Sequence, residues 1–430
     1  MASTYLSKTF SGNGSATIHT ISAWIKKSSD MNTTTPEKIF FAGSGSNQHQ
    51  LYFTNFDASG SSYDDAIQYE FYNGSQNYYI RTNRSFRDPS AWYHIVVVWD
   101  TTQSTASDRI KLYVNGVQET SFQGTAYPTQ NFAGFFGQST YAHRIGGSDS
   151  GQYFNGLMTH FHYIDGTAYT PSTFGETDST SGIWKPKTAP SVTYGTNGFF
   201  LKFENSGAMG TDSSGNSNTF AVGGGTLTQN VDTPSNVFAT LNPVYPYTST
   251  GAITNGNTVP SDYAAYQGIV GTLGASSGKY YFEVKINGSS GERGMVGWGA
   301  RDTGQITFPG GGAYDYGRLN NAGTYYNNGS DTAISGASAY TTNDICGCAI
   351  DLDGNKIYWY KNGALENSGG TTITASSTAG NYFPIVRNGD GNNIQCNFGS
   401  GFFGTTAVAS ANADANGFGA FEYAVPSGYY

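Results

Sequence analysis

Hydrophobic residues in this chain come in short runs closed by glycine or polar turn residues, and no run is long enough to build a packed helix. The most continuous is Trp92-Tyr93-His94-Ile95-Val96-Val97-Val98-Trp99, whose β-branched centre predicts a middle strand buried on both faces. Around it, residues 18–25, 38–42, 50–53 and 67–72 alternate in the manner of half-buried strands. Residues 110–114 run into Asn115-Gly116, a two-residue hairpin signal. Strands follow at 157–164 and 199–203. Composition narrows the choice further. Charged residues make up 12% and aromatics 15% of the chain, and its 58 glycines follow no three-residue period. The first figure excludes a coiled coil, the second a disordered chain, the third a collagen. The expectation is an all-β protein with many glycine turns.

The formal net charge is -9 and the densest basic spot is Lys26-Lys27, so binding of nucleic acid by phosphate neutralisation is not expected. Three cysteines, Cys346, Cys348 and Cys396, imply no disulfide framework. No apolar run reaches the length of a membrane helix, and no membrane insertion is expected. Met1 to Tyr5 lacks the basic and apolar regions of an export signal.

The second half restarts the β pattern at 278–286, 295–300, 345–351, 356–360, 381–386 and 394–399, with a second hairpin signal at Asn362-Gly363. Between the halves, residues 204–259 are rich in Gly, Ser, Asn and Pro and read as a partly ordered linker. Residues 405–430 read as a tail whose closing Tyr429-Tyr430 suggests docking. The domain expectation is thus 1–203, linker 204–259, 260–404 and tail 405–430.

The second half resembles the SPRY domain, a bent β-sandwich. The resemblance rests on Lys279-Tyr280-Tyr281-Phe282-Glu283-Val284, Val296-Gly297-Trp298-Gly299, residues 347–353, Ile357-Tyr358-Trp359-Tyr360-Lys361-Asn362-Gly363 and Tyr382-Phe383-Pro384-Ile385-Val386. The first half resembles the concanavalin A-like, laminin G-like sandwich through Ile21-Ser22-Ala23-Trp24-Ile25, Trp92-Tyr93-His94-Ile95-Val96-Val97 and Leu112-Tyr113-Val114-Asn115-Gly116. The order of the two sandwiches is similar to structural proteins of tailed bacteriophages. So are the phrases Phe174-Gly175-Glu176-Thr177-Asp178, Gly182-Ile183-Trp184-Lys185-Pro186 and Phe238-Ala239-Thr240-Leu241-Asn242-Pro243. That resemblance implies a virion component on the particle exterior, with other virion proteins and a host-surface polysaccharide or protein as partners, working as a homo-oligomer. A capsid decoration protein and a bacterial adhesin or lectin are the alternatives.

Catalytic strings are absent. Glycoside hydrolases of the concanavalin A-like fold carry a Glu-x-Asp-x-x-Glu strand that turns its acids into one cleft. The nearest string here, Glu176-Thr177-Asp178, lacks the third acid. His160-Phe161-His162 places two imidazoles at strand spacing, either a metal pair or two solvent-side residues. Cys346 and Cys348 read as small buried thiols. No cofactor is expected. The laminin G resemblance implies a rim calcium, for which Asp57, Asp64, Asp65, Asp100 and Asp149 are loop candidates without a defined ligand set. The SPRY resemblance places partner contacts on loops, which here are 312–321 with Tyr314, Tyr316 and Arg318, followed by Tyr325 and Tyr326. Tyrosines among Asn and Gly suit sugars or a protein partner. Tyr78 and Tyr79 form the first-half analogue.

Overall fold

In the computed structural model of the chain, the described residues are 4–28, 35–54, 65–243, 253–260, 268–287, 294–300, 309–320, 322–388 and 393–430. They divide into two compact units, one holding residues 1–27, 31–229 and 233–235, the other chiefly residues 236–430. Both are antiparallel β-sandwiches, and no helix among the described residues is long and apolar enough to cross a membrane.

The first unit packs a sheet of eight strands on one of six. The eight-stranded sheet runs, from edge to edge, through Phe122–Ala126, Asn77–Ser85, Ala66–Asn73, Asn47–Phe53, Glu37–Ser44, His143–Ile145, Tyr5–Lys8 and Ala221–Gly223. The six-stranded sheet places Tyr93–Asp100 between Ile18–Lys27 and Ile110–Val114. Ile95, Val97 and Trp99 face the main core, while Val96 and Val98 pack under Ile164 and Phe174, so this strand is covered on both sides as its sequence predicts.

Histidine is an unusual component of this core. His49 Nδ1 accepts the N–H groups of Phe135 (3.1 Å) and Phe136 (3.3 Å), so its proton sits on Nε2 and is donated to the Tyr69 hydroxyl at 2.7 Å. That hydroxyl in turn donates to His19 Nε2, also at 2.7 Å. His143 Nε2 accepts the Gly137 N–H at 2.9 Å, leaving its Nδ1–H for the Tyr141 carbonyl. His94 Nδ1 accepts from the Trp184 indole and its Nε2–H is left for Ser22 Oγ. Each ring is thereby held neutral, and burial drives the pKa values of His19, His94 and His143 down to about 3.

Residues 204–229 belong to the first unit. Asp212 organises them: its two carboxylate oxygens accept N–H groups of Phe200, Ser214 and Asn218, and Phe220 enters the core. A polar segment is anchored here by side-chain-to-backbone bonds in place of hydrophobic pairs.

The second unit packs the sheet Ile269–Val270, Tyr382–Arg387, Met295–Ala300, Asp315–Leu319, Thr324–Asn327, Ser330–Ala333 on a sheet built around Ile345–Asp351, Lys279–Asn287 and Lys356–Lys361. Trp298, Trp359, Phe282 and the three cysteines fill its core, and all three thiols are free and buried. Residues 405–430 dock on the outer face of the second sheet. Tyr430 exchanges backbone bonds with Tyr281 and Lys279, and Phe421 and Tyr429 pack on Tyr281. Glu283 fastens this segment: its carboxylate accepts the N–H groups of Glu422 (2.8 Å) and Tyr423 (2.9 Å), the Tyr281 hydroxyl and the Asn397 amide. Burial nevertheless pushes its pKa up to about 7, against those four donors.

Candidate functional site on the eight-stranded sheet

Alternation gives each strand of the eight-stranded sheet an inner and an outer row. The inner row, with Leu51, Phe53, Ile67, Tyr69, Phe71 and Ile80, builds the core. The outer row is polar and aromatic. Pairing register aligns Lys38, Tyr52, Gln68 and Arg81 across four adjacent strands. It aligns Arg144, Phe41, Gln50, Glu70 and Tyr79 across five.

These side chains hold one another in place. Glu70 Oε2 accepts from Gln50 Nε2 at 2.7 Å and from the Tyr52 hydroxyl at 3.0 Å. Arg81 Nε donates to Gln68 Oε1. The Lys38 ammonium lies 3.6 Å from the Tyr52 ring centroid, and the Arg144 guanidinium lies about equally far, 5.9 and 6.0 Å, from the rings of Tyr5 and Phe41. Burial lowers the Lys38 pKa to about 7, against the pull of the Glu70 and Asp149 charges. Burial and Glu70 together raise that of Tyr52. Two polar atoms of this face, Gln50 Oε1 and one terminal nitrogen of Arg144, are buried and have no hydrogen-bond partner among the described residues. Lys38, Phe41, Gln50, Tyr52 and Gln68 are themselves buried, at most 8% exposed, so a polyhydroxylated ligand can meet this face only at the half-buried Tyr5, Glu70, Tyr79, Arg81 and Arg144, its C–H patches on the tyrosine rings and its hydroxyls on the charged groups. The two rows hold one carboxylate, Glu70, already engaged twice. That is half of what glycoside hydrolysis requires.

The residues singled out by sequence are dispersed. Tyr79 stands in the outer row as the partner of Glu70, with the Arg81 guanidinium 5.6 Å from its ring. Its neighbour Tyr78 points the other way and packs on Phe71 and Phe132. In the second unit Tyr316 and Arg318 are interior residues, which corrects their reading as ligand contacts. The Tyr316 hydroxyl accepts the Thr374 N–H from within the core. Arg318 is 1% exposed, forms a two-pronged pair with Glu366 (2.9 and 3.0 Å), and donates to the carbonyls of Leu319, Ala322 and Ser338. Tyr325 stacks on Trp359 at 5.4 Å and Tyr314 leans half-buried on the same core. Tyr326 is half-buried in the strand beside Gly317. Asn321 lies outside the described residues.

His162 is buried and His160 is half-buried, so only the first departs fully from a solvent-side reading. A bulge between Thr159 and His162 puts His160 at φ 47°, while His162 stacks on Phe200 at 3.9 Å and bonds the Tyr194 hydroxyl. Of the aspartates considered for calcium, Asp57 and Asp64 lie outside the described residues. Asp100 bonds its own turn, Asp149 accepts the Gly45 N–H, and Asp65 faces the core. They do not converge, and among the described residues no group of three or more His, Cys, Asp or Glu could hold a metal ion. The outer-row ladder itself escaped sequence reading. Gln50, Gln68 and Glu70 each look like ordinary solvent-side strand positions, and only register assembles them.

Two family models match the chain. Residues 3–173 match the family described as the concanavalin A-like lectin/glucanases superfamily, and residues 279–401 match the SPRY domain. Among solved structures, the SPRY domain of human HERC1 is 20% identical, with a TM-score of 0.27, over 34% of this chain and 91% of that one. The PSpry domain of TRIM65 is 12% identical, with a TM-score of 0.28, over 37% and 88%. No curated protein matches the chain. The chain thus carries a concanavalin A-like sandwich followed by a SPRY sandwich.

Proposed function

We propose that this is a non-enzymatic binding protein whose first sandwich takes a glycan across the outer face of its eight-stranded sheet. The observation that carries the reading is the set of half-buried tyrosines and charged groups on that face, Tyr5, Glu70, Tyr79, Arg81 and Arg144, held by cross-strand pairing and ring contacts. Such a face binds each ligand weakly, and copy number supplies avidity. This suits the virion exterior, the setting implied by the resemblance to tailed-phage structural proteins, with a host-surface polysaccharide as ligand. The test is a glycan array followed by calorimetry on the best ligand. The double variant Tyr79→Ala, Arg144→Ala is expected to lose at least about tenfold in affinity, about 1.4 kcal/mol, while keeping its melting transition. Unchanged affinity sinks the site. Gold-labelled antibody on intact particles tests the setting: label on the tail supports host attachment, and label spread over the head turns the reading to capsid decoration.

A further inference from the structure

At one end of the first sandwich, Lys27 and Asp65 reach across the interior from opposite sheets. Lys27 is the last residue of Ile18–Lys27 in the six-stranded sheet, and Asp65 immediately precedes Ala66–Asn73 in the eight-stranded one. Inward pointing follows from alternation, since Ile21, Ala23 and Ile25 line the core and Lys27 continues their row. Asp65 adopts φ 57°, a left-handed conformation that aspartate tolerates, and its carbonyl is fixed by the Phe86 N–H at 2.9 Å. The Lys27 nitrogen touches Asp65 Oδ1, and each side chain is only 5% exposed. Aromatic rings surround the pair: the Lys27 nitrogen lies 5.2 Å from the Phe53 centroid, and Phe53 packs on Phe86 and Phe154. A second buried carboxyl lies on the same inner face: Glu37 is the cross-strand partner of Phe53, the ring that the Lys27 nitrogen approaches.

We propose that Lys27 and Asp65 condense to an amide that staples the two sheets, with Glu37 as the proton carrier. Two opposite charges withdrawn from water among aromatic rings are costly, and Asp65 Oδ2 has no hydrogen-bond partner among the described residues to offset that cost. Proton transfer from ammonium to carboxylate leaves a neutral amine and a neutral acid in contact. The amine lone pair of Lys27 attacks Cγ of Asp65, forming the C–N bond. Glu37 takes a proton from the attacking nitrogen and returns one to the departing hydroxyl, so the C–O bond breaks and water leaves. Ammonium plus carboxylate become amide plus water, with no change of net charge and no oxidant or co-reactant.

The test is the intact mass of the purified full chain, denatured, after incubation at neutral pH. The expected result is a mass lower than the sequence mass by one water, with proteolysis yielding a branched peptide joining Lys27 to Asp65. Lys27→Arg keeps the positive charge but cannot condense in this way, and Glu37→Gln removes the proton carrier. Both are expected at full mass. A wild-type chain at full mass overturns the proposal and leaves a plain buried ion pair, a reading that needs no variant to fold. A missing water without the branched peptide overturns it as well. A Glu37→Gln chain that still condenses removes Glu37 from the step.

Discussion

The interior of the first sandwich holds His19, His49 and His143 between its sheets, whereas the second sandwich contains no histidine and places Cys346, Cys348 and Cys396 there. An imidazole offers a donor and an acceptor, so each ring must be matched by a partner of the right kind. Tyr69 and the N–H groups of Phe135, Phe136 and Gly137 do this for all but His19 Nδ1, which is buried with no hydrogen-bond partner among the described residues. A thiol asks for little. Cys346 takes one bond from Tyr340, and burial pushes its pKa up to about 12, so it stays a neutral packing group. The second sandwich buries charged groups as well, among them the Arg318–Glu366 pair and the Glu283 clasp on the C-terminal segment. Similar architectures therefore respond differently to pH, because the group that must stay neutral is a base in one and an acid in the other.

Acid is expected to break the comparison most visibly. His19, His94 and His143 are neutral when folded and protonate near 6.5 when unfolded, so their contribution is complete above pH 6.5 and falls away as pH drops towards about 3. At pH 5 each is expected to cost the first sandwich about 2 kcal/mol. Limited proteolysis mapped by mass spectrometry at pH 5 and 7.5 reads this directly: cleavage confined to residues 1–229 supports the contrast, and equal cleavage of both units removes it.

The next effect is Arg318→Ala, which strands the Glu366 carboxylate in the interior. A loss of about 3–5 kcal/mol in the second sandwich is expected, with no change in the first. Denaturant titration followed by hydrogen exchange separates the two units. A loss below about 1 kcal/mol means that the pair is a surface feature.

Glu283 gives the opposite pH slope. Its folded pKa of about 7 lies above the unfolded value of 4.5, so its contribution is complete below pH 4.5 and is lost as pH rises through about 7. The second sandwich is expected to weaken by about 3 kcal/mol over that window, and Glu283→Gln to flatten the slope. Proteolysis of residues 405–430 as a function of pH is the readout. A tail that loosens on acidification contradicts the assignment.

The smallest effect tests where the two sandwiches agree. Asn115 and Asn362 both open an Asn-Gly hairpin at φ 49°, and their side-chain oxygens accept the N–H groups of His94 and Ile345, each at 2.8 Å. Asn115→Ala and Asn362→Ala are each expected to cost about 1 kcal/mol, through strain at positive φ and the lost bond. Unequal costs on thermal melting show that the turns are alike only locally.

Much of the fold was legible in local pattern. Strand alternation, the two Asn-Gly turns, the doubly covered strand around Val96 and Val97, and the buried thiols follow from residues close in sequence. The candidate site was legible only at Tyr79, because a lone polar residue in a strand looks the same whether it meets solvent or a partner. Arg318 misled for the same reason: a charged residue between Gly317 and Leu319 in a tyrosine-rich loop gives no hint of Glu366 48 residues away. Residues 204–229 looked like linker because their anchor, Asp212, works through backbone N–H groups that carry no sequence signature.

The sequence by itself determined the all-β class, the two-sandwich order and the positions of the tight turns, since each depends on side-chain period and backbone preference within a few residues. Tertiary structure alone decided the polar ladder of Gln50, Tyr52, Gln68 and Glu70, the neutral state of the buried histidines and the meeting of Lys27 with Asp65. Those depend on strand register and on which sheet faces which. Such contacts join residues tens of positions apart, and the free energy that selects them belongs to the packed sandwich as a whole.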